Sequence, residues 1–403
     1  MTATSGSTYF RKGFGLKNEI QGELSADYDS ELVAQLKAGD RTLKVGDLEI
    51  RLAHEFGFCY GVDRAIDYAY ETRKKFPDRR IFLVGEIIHN PGVNYRLEAM
   101  GVTILSPDLA EDDGPLADLT SEDVVLIPAF GVTTTWMARL EELGCVRVDT
   151  TCGSVLNVWK RVERHARDGY TSVIHGKHEH EETRATASRA LAEGGHYLVV
   201  RNMDETDLVI DHLAGRMSAA DLLERFAFAV SPGFEPERDL AAIGLANQTT
   251  MLSSESLAIA ERLRQAVLEL RGQEAVEQRF RAFDTICSAT QDRQDAVVEL
   301  LAGGVDLALV IGGYNSSNTC NLARMCRESV PTYHLASRQC LRDDGSLEHL
   351  PAATKTPVVA ESWLPDGQLV IGLTAGASTP DSEIGAVIQA LLQLRGLPAP
   401  TLS

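Results

Sequence analysis

Cys59, Cys152 and Cys287 each stand where a strand-like run gives way to a helical one, in RLAHEFGFCYGVDRAID, VRVDTTCGSVLNVWKRV and AFDTICSATQDRQDAVVEL. A helix N-terminus presents unpaired amide donors and positive dipole potential, which favour the thiolate that a metal requires. The three lie 93 and 135 residues apart, so a shared centre would take one ligand from each of three α/β lobes. Three thiolates leave a further coordination position open, as a catalytic metal site needs. A cubane cluster with one uncoordinated iron meets that requirement. Cysteines at strand ends also serve as inert packing, and spacing alone leaves both readings standing. Of the remaining cysteines, Cys145 begins a strand, Cys326 lies within a helix and Cys340 precedes a polar loop, so these read as structural. Cys320, at a helix start in NSSNTC, is the competitor, but six residues place it on a different helix face from Cys326.

A second constellation suits an anion. GGYNSSNT lies between an apolar run at 307–311 and a helical stretch at 322–327, and offers Ser316, Ser317, Asn318 and helix-end amides. Capping of the helix by Ser and Asn would account for the same motif. There is no Walker A spacing and no GxGxxG after a strand, so a nucleotide is disfavoured. GLANQTTML places Thr249 and Thr250, and TAGASTPD places Ser378, at equivalent strand-to-helix junctions, where ligands of α/β sheets gather. His89 in VGEIIHN and the segment IHGKHEHEET supply titratable groups. His180 and Glu182, two apart, share one side of an extended loop and pair an imidazole with a carboxylic acid. HEHEE lacks the second histidine of HExxH, which excludes that metalloprotease site. Zinc on His175, His178 and His180 is an alternative, although isolated histidines are more often hydrogen-bonded core or surface groups.

The elements that must position these groups repeat. From residue 47 onward a short β-branched, apolar run is followed by a polar or glycine-containing turn and an amphipathic helical stretch, which predicts parallel sheets covered by helices. The expected strands include 48–53, 81–88, 124–128, 146–149, 172–174, 243–246, 307–311 and 369–373. More than eight such units suit several small sheets better than one. The expected division is an N-terminal extension at 1–47, lobes at 48–151, 152–284 and 285–394, and a tail at 395–403, with an elaborated insertion at 202–240. With 403 residues, 44% of them hydrophobic and 24% charged, the chain can bury a large core. No apolar run approaches membrane-span length and the N-terminus lacks a signal-peptide layout, so a cytoplasmic protein is expected. In that setting an odd seven cysteines make a disulfide framework unlikely, and the absence of CxxC removes zinc ribbons, thioredoxin-like motifs and ferredoxin-type runs. A net charge of -19 argues against nucleic acid. The local exception, Arg73, Lys74, Lys75, Arg79 and Arg80, reads first as a solvated helix end and second as a docking patch for an acidic electron carrier.

Taken together, FCYGVDRA, GEIIHNPGV, DTTC, HEE, NQTTM, TICSATQDRQDA, GGYNSSNT and TAGASTPD occur in the order found in the LytB family of 4-hydroxy-3-methylbut-2-enyl diphosphate reductases, which the chain resembles from about residue 10 to 392. The resemblance implies three α/β lobes in a pseudo-threefold arrangement around a central 4Fe-4S cluster, with Cys59, Cys152 and Cys287 as ligands and one iron open. It implies that His89, His180, Ser316, Ser317, Asn318 and Ser378 hold the substrate diphosphate, and that Glu182 and Thr249 govern proton delivery and the hydroxyl. The implied reaction is reductive removal of the hydroxyl from an allylic diphosphate, yielding isopentenyl and dimethylallyl diphosphates at the last step of non-mevalonate isoprenoid synthesis. Reduced ferredoxin or flavodoxin is the implied electron donor. One departure is PAFGV, where many bacterial members carry a histidine and this chain has Phe130. In this, in FRKGFG and in IHGKHEHEET, the chain looks like the cyanobacterial and plant-type branch.

Two other readings compete. A quinolinate-synthase-like protein would also carry one cluster cysteine per lobe, but NSSNT with HEE matches the reductases alone. A cluster-containing, diphosphate-responsive transcriptional sensor is opposed by the acidic charge and the lack of a helix-turn-helix pattern.

Overall fold

The structure is a computed structural model that describes residues 8–108, 114–283, 285–352, 354 and 356–400. Parts of the expected N-terminal extension (1–7) and tail (401–403), and the expected lobe boundary at Asp284, lie outside these residues. The chain forms two compact units, each discontinuous in sequence. One comprises the described residues of Met1–Arg11, Arg79–Gly85 and Thr103–Cys287. The other comprises those of Lys12–Asp78, Glu86–Val102 and Ser288–Ser403.

The first unit holds two sheets. One runs in the order Tyr9–Phe10, Val146–Asp149, Val124–Ile127, Ile81–Val84, Val102–Leu105, and the other Phe280–Ala282, Ile243–Asn247, Thr171–His175, Tyr197–Val200. The second unit holds one large sheet in the order Thr332–Leu335, Leu307–Ile311, Leu369–Ala375, Leu48–Leu52, Thr42–Val45, parallel except at its last pair. These three sheets are assembled chiefly by parallel pairing, with helices between most of the strands, the α/β architecture that the repeating units predict. Ile81–Val84, Val124–Ile127 and Leu307–Ile311 are buried at every position, as expected of strands covered on both faces.

One strand pairs otherwise than the expected lobes imply, and two segments gain detail that the sequence reading did not supply. Leu48–Leu52 does not pair with the strands at 81–149. It pairs in parallel with Leu369–Ala375, and its buried Leu48, Ile50 and Leu52 join one core with Leu369, Ile371, Leu373, Ile384 and Ile388. The N-terminal extension contains defined elements. Tyr9–Phe10 adds an edge strand, and Lys17–Tyr28 and Glu31–Ala38 are helices that bury Ile20, Leu24, Leu32, Val33 and Leu36. The 202–240 segment contains helices Met203–Leu213 and Ala219–Arg225 and places Leu222, Phe226, Phe234 and Leu240 in the core of its sheet. Among the described residues, no helix is long and apolar enough to cross a membrane.

Candidate functional site

The expected chemistry-bearing residues divide between the two units. In the first, Glu182 lies in the opening turn of helix Glu181–Ala192 and is 2% exposed. The backbone N–H of Thr249 donates to its Oε1 (2.6 Å), and the Thr249 hydroxyl lies 3.0 Å from Oε2. The amide can only donate, but the hydroxyl can donate to a carboxylate or accept from a carboxylic acid. One arrangement therefore holds Glu182 in either protonation state. His180 caps the same helix, its Nδ1 accepting from Glu182 N–H (3.1 Å), which assigns a neutral ring's proton to Nε2. The Phe130 ring, buried, meets the imidazole edge to face at 6.2 Å between centroids. Gln248 fastens the neighbouring turn, accepting from Lys177 N–H and Thr183 Oγ1 and donating to Thr250 Oγ1.

Two cysteines share this unit. Cys287 N–H donates to the Thr249 carbonyl (3.3 Å), so the residue that holds Glu182 also holds the strand-to-helix turn of Cys287. Cys152 is the N-cap of helix Gly153–Arg167, with its N–H on the Ala129 carbonyl (2.7 Å) and its side chain against Val155, Trp159 and Ala185. The preceding turn is fixed by Asp149, whose Oδ1 accepts from both the N–H (2.9 Å) and hydroxyl (2.5 Å) of Thr151.

In the second unit, Cys59 is the N-cap of helix Tyr60–Lys75, and its N–H donates to the Ala377 carbonyl (3.2 Å). Ala377 N–H in turn donates to Asn318 Oδ1 (3.0 Å), so the NSSNT and TAGASTPD loops and the Cys59 turn are one hydrogen-bonded structure. Arg293, 3% exposed, clamps the carbonyls of Gly57 (2.6 Å) and Phe58 (3.3 Å) just before Cys59. Close approach explains two glycines: a Cβ at Gly376 would lie 2.0 Å from Thr319 Oγ1, and one at Gly313 would lie 2.5 Å from the His89 carbonyl. Ser378 donates to that same carbonyl (3.2 Å), and Asn90 Nδ2 donates to the Ser378 carbonyl (2.8 Å). The His89 ring, buried, has Nδ1 2.8 Å from a Glu86 carboxylate oxygen that also accepts from Asn315.

The capping reading of NSSNT accounts for only part of it. Ser316 is the N-cap of helix Ser317–Arg327, accepting from Thr319 N–H and Thr319 Oγ1. Ser317 Oγ and Asn318 Nδ2 are different: both residues are almost fully buried, and neither atom has a hydrogen-bond partner among the described residues. Buried donors left unmatched cost roughly 1 to 3 kcal/mol each. Two at the start of an eleven-residue helix suit an anion.

The other candidates are dispersed. His175 Nδ1 lies 2.8 Å from Ser256 Oγ, and His178 pairs with Glu179 at 3.2 Å, so His175, His178 and His180 have separate partners. Cys145, Cys326 and Cys340 sit in hydrophobic clusters. Cys320 Sγ contacts the Tyr314 carbonyl at 3.2 Å. In the basic run, Arg79 bonds the Glu122 and Ser121 carbonyls, and Arg80 forks onto Asp123 at 2.8 and 2.6 Å. Sequence reasoning missed Glu86, Asp149 and Arg293, although each lies within a motif that it singled out or beside one.

Residues 50–392 match the family model described as LytB protein. A protein of Nostoc sp. (strain PCC 7120 / SAG 25.82 / UTEX 2576) named 4-hydroxy-3-methylbut-2-enyl diphosphate reductase is 43% identical over 399 residues, 99% of this chain and 98% of that one. A protein of the same name from Thermosynechococcus vestitus is 44% identical over 394 residues, 98% of this chain and 96% of that one. A solved structure of (E)-4-hydroxy-3-methyl-but-2-enyl diphosphate reductase, described as the terminal enzyme of the non-mevalonate pathway, aligns at TM-score 0.51 and 26% identity, covering 85% of this chain and 99% of the other. The Plasmodium falciparum E-1-hydroxy-2-methyl-but-2-enyl-4-diphosphate reductase shares the fold at TM-score 0.61 and 22% identity, covering 85% and 87%.

Proposed function

This chain belongs to the LytB protein family, and on that premise we infer that it reduces 4-hydroxy-3-methylbut-2-enyl diphosphate to isopentenyl and dimethylallyl diphosphates. The observation that carries the reading is the pair of buried, unmatched donors Ser317 Oγ and Asn318 Nδ2 at a helix N-terminus. They are what a diphosphate would complete, and His89, His180, Ser316 and Ser378 are proposed as its other contacts.

The donor set suits an iron-sulfur cluster. Cys59, Cys152 and Cys287 are outside any disulfide and, like Cys320, partly exposed, whereas Cys145, Cys326 and Cys340 are buried. Cys59 and Cys152 stand at helix N-caps, and thiolates at such positions suit iron. We assign the three as ligands of one 4Fe-4S cluster with a further iron open to substrate. When bound, such a cluster supplies electrons one at a time and a Lewis-acidic iron.

The chain's own residues supply position and protons. Overall, the substrate takes up two electrons and two protons. Its allylic carbon-oxygen bond breaks, the hydroxyl leaves as water, and a carbon-hydrogen bond forms at either end of the allyl unit. Glu182 is the proposed proton donor, and the Thr249 hydroxyl, able to give or accept a hydrogen bond, holds the acid in line. Phe130 packs against His180 and leaves phosphate binding to the other groups. Reduced ferredoxin or flavodoxin is the proposed donor and the cytoplasm the proposed location. The charge of -19 argues against a nucleic-acid partner.

The test is anaerobic turnover of the diphosphate with a small chemical reductant, followed by mass spectrometry. Appearance of both products supports the assignment. No consumption by protein with an intact cluster spectrum rejects it.

A further inference from the structure

We propose that Tyr9 and Arg11, on the N-terminal segment, are positioning residues for Cys152 and act through Asp149. The proposal rests on the reading of Cys152 as a cluster ligand.

Asp149 ends the strand Val146–Asp149, three residues before Cys152, and its side chain is only 5% exposed. Its two oxygens have different tasks. Oδ1 holds the turn, through the Thr151 N–H and hydroxyl. Oδ2 accepts from the Tyr9 hydroxyl at 2.6 Å and faces Arg11 Nε at 3.4 Å. A buried carboxylate stays put only while both oxygens are satisfied, and the hydrogen bond to the second comes from Tyr9, 140 positions away in the chain.

The N-terminal segment is built to deliver them. Tyr9–Phe10 pairs in parallel with Arg147–Val148, and the Thr8 carbonyl accepts from Arg147 N–H at 2.7 Å. The Arg147 guanidinium covers the Tyr9 ring at 5.3 Å. The edge strand thus fixes the phenol against Asp149, Asp149 fixes Thr151, and Thr151 leads into Cys152. Thr150 and Cys152 are held independently, by the Ile127 and Ala129 carbonyls. Loss of the Tyr9 hydroxyl should therefore loosen the turn rather than unfold it.

The experiment compares Tyr9→Phe and Arg11→Lys with the wild type in two states. In metal-free protein, iodoacetamide labelling of individual cysteines is followed by peptide mass spectrometry. For Tyr9→Phe, Cys152 should label about threefold to tenfold faster relative to Cys287 in the same sample, the scale of one net hydrogen bond. Arg11→Lys, which keeps the charge, should stay close to the wild type. In holoprotein, Tyr9→Phe should release iron to a chelator faster and shift the electron paramagnetic resonance spectrum of the reduced cluster. An unchanged labelling ratio, or equal acceleration at both cysteines, overturns the proposal. Cys152→Ser separates it from the reading beneath it: full iron retention there would remove Cys152 as a ligand, whereas iron loss with an unchanged Tyr9→Phe ratio would remove only the positioning role.

Discussion

Glu182 is held by an amide that must donate and a hydroxyl that need not, so a change confined to its acidity should leave the site standing. Glu182→Gln keeps size and hydrogen bonding. Turnover should fall by about a hundredfold or more, the scale of general acid catalysis, with the cluster spectrum and substrate affinity near normal. Stopped-flow reduction and equilibrium binding of the diphosphate check both halves, and normal turnover would remove the acid role. At the anion site, Ser317→Ala and Asn318→Ala should each weaken diphosphate binding by about tenfold to a hundredfold, from the loss of roughly 1.5 to 3 kcal/mol of charge-assisted hydrogen bonding. Because the Ser317 hydroxyl is unmatched within the protein, the thermal stability of Ser317→Ala should hold or rise. Calorimetric titration with inorganic diphosphate, alongside a thermal melt, distinguishes this from simple loss of a helix cap. Asn318→Ala also removes the oxygen that holds Ala377, so Ser317→Ala is the cleaner of the two.

At the scale of elements, the basic run is a structural fastening. Arg73, Lys74 and Lys75 fall in the last turn of helix Tyr60–Lys75, where cations suit the dipole. Arg79 and Arg80 spend their donors on carbonyls and on Asp123, whose carboxylate also accepts from Thr120 N–H and hydroxyl. Arg80→Glu would set two carboxylates against each other. Its melting temperature should fall by several degrees, and turnover should slow equally with ferredoxin and with a chemical reductant. Selective slowing with ferredoxin would instead restore a docking role. The strands were largely legible: Leu307–Ile311, LALVI, is the unbroken apolar run that burial on both faces demands, it and Val146–Asp149 match the expected bounds, and the others differ by a few residues at their ends. Their partners were not legible. Leu48–Leu52 joins a strand more than 300 residues later, and parallel pairing leaves no local mark of its partner. Cysteine and NSSNT motifs announce themselves by residue type and spacing. Asp149 and Glu86 do not, because a carboxylate at a strand end or in a loop looks in sequence like any surface charge until its distant donors are seen.

Across the whole molecule, two buried histidines couple stability to pH. Burial, aided by the charges of Arg281 and Arg161, lowers His165 to about 4, and burial lowers His334 to about 4 against the opposing pull of the Gly312 carbonyl. Between that value and the ordinary 6.5 the unfolded chain binds more protons than the folded one. The stability these neutral rings contribute is therefore complete above pH 6.5 and is lost as pH falls toward 4, at roughly 2 kcal/mol per histidine by pH 5. His165→Gln and His334→Gln should each narrow the stability gap between pH 7 and pH 5 in urea unfolding; an unchanged gap would show that neither ring is the sensor. The central claim concerns three other residues, each at the start of a helix: Cys59, Cys152 and Cys287. Iron and sulfide analysis after anaerobic reconstitution of the seven single Cys→Ser variants tests it most directly. Serine at Cys59, Cys152 or Cys287 should abolish or cripple the cluster, while serine at Cys145, Cys320, Cys326 or Cys340 should leave one cubane's iron and sulfide per chain. Equal loss across all seven, or full retention at any of the first three, would contradict the assignment.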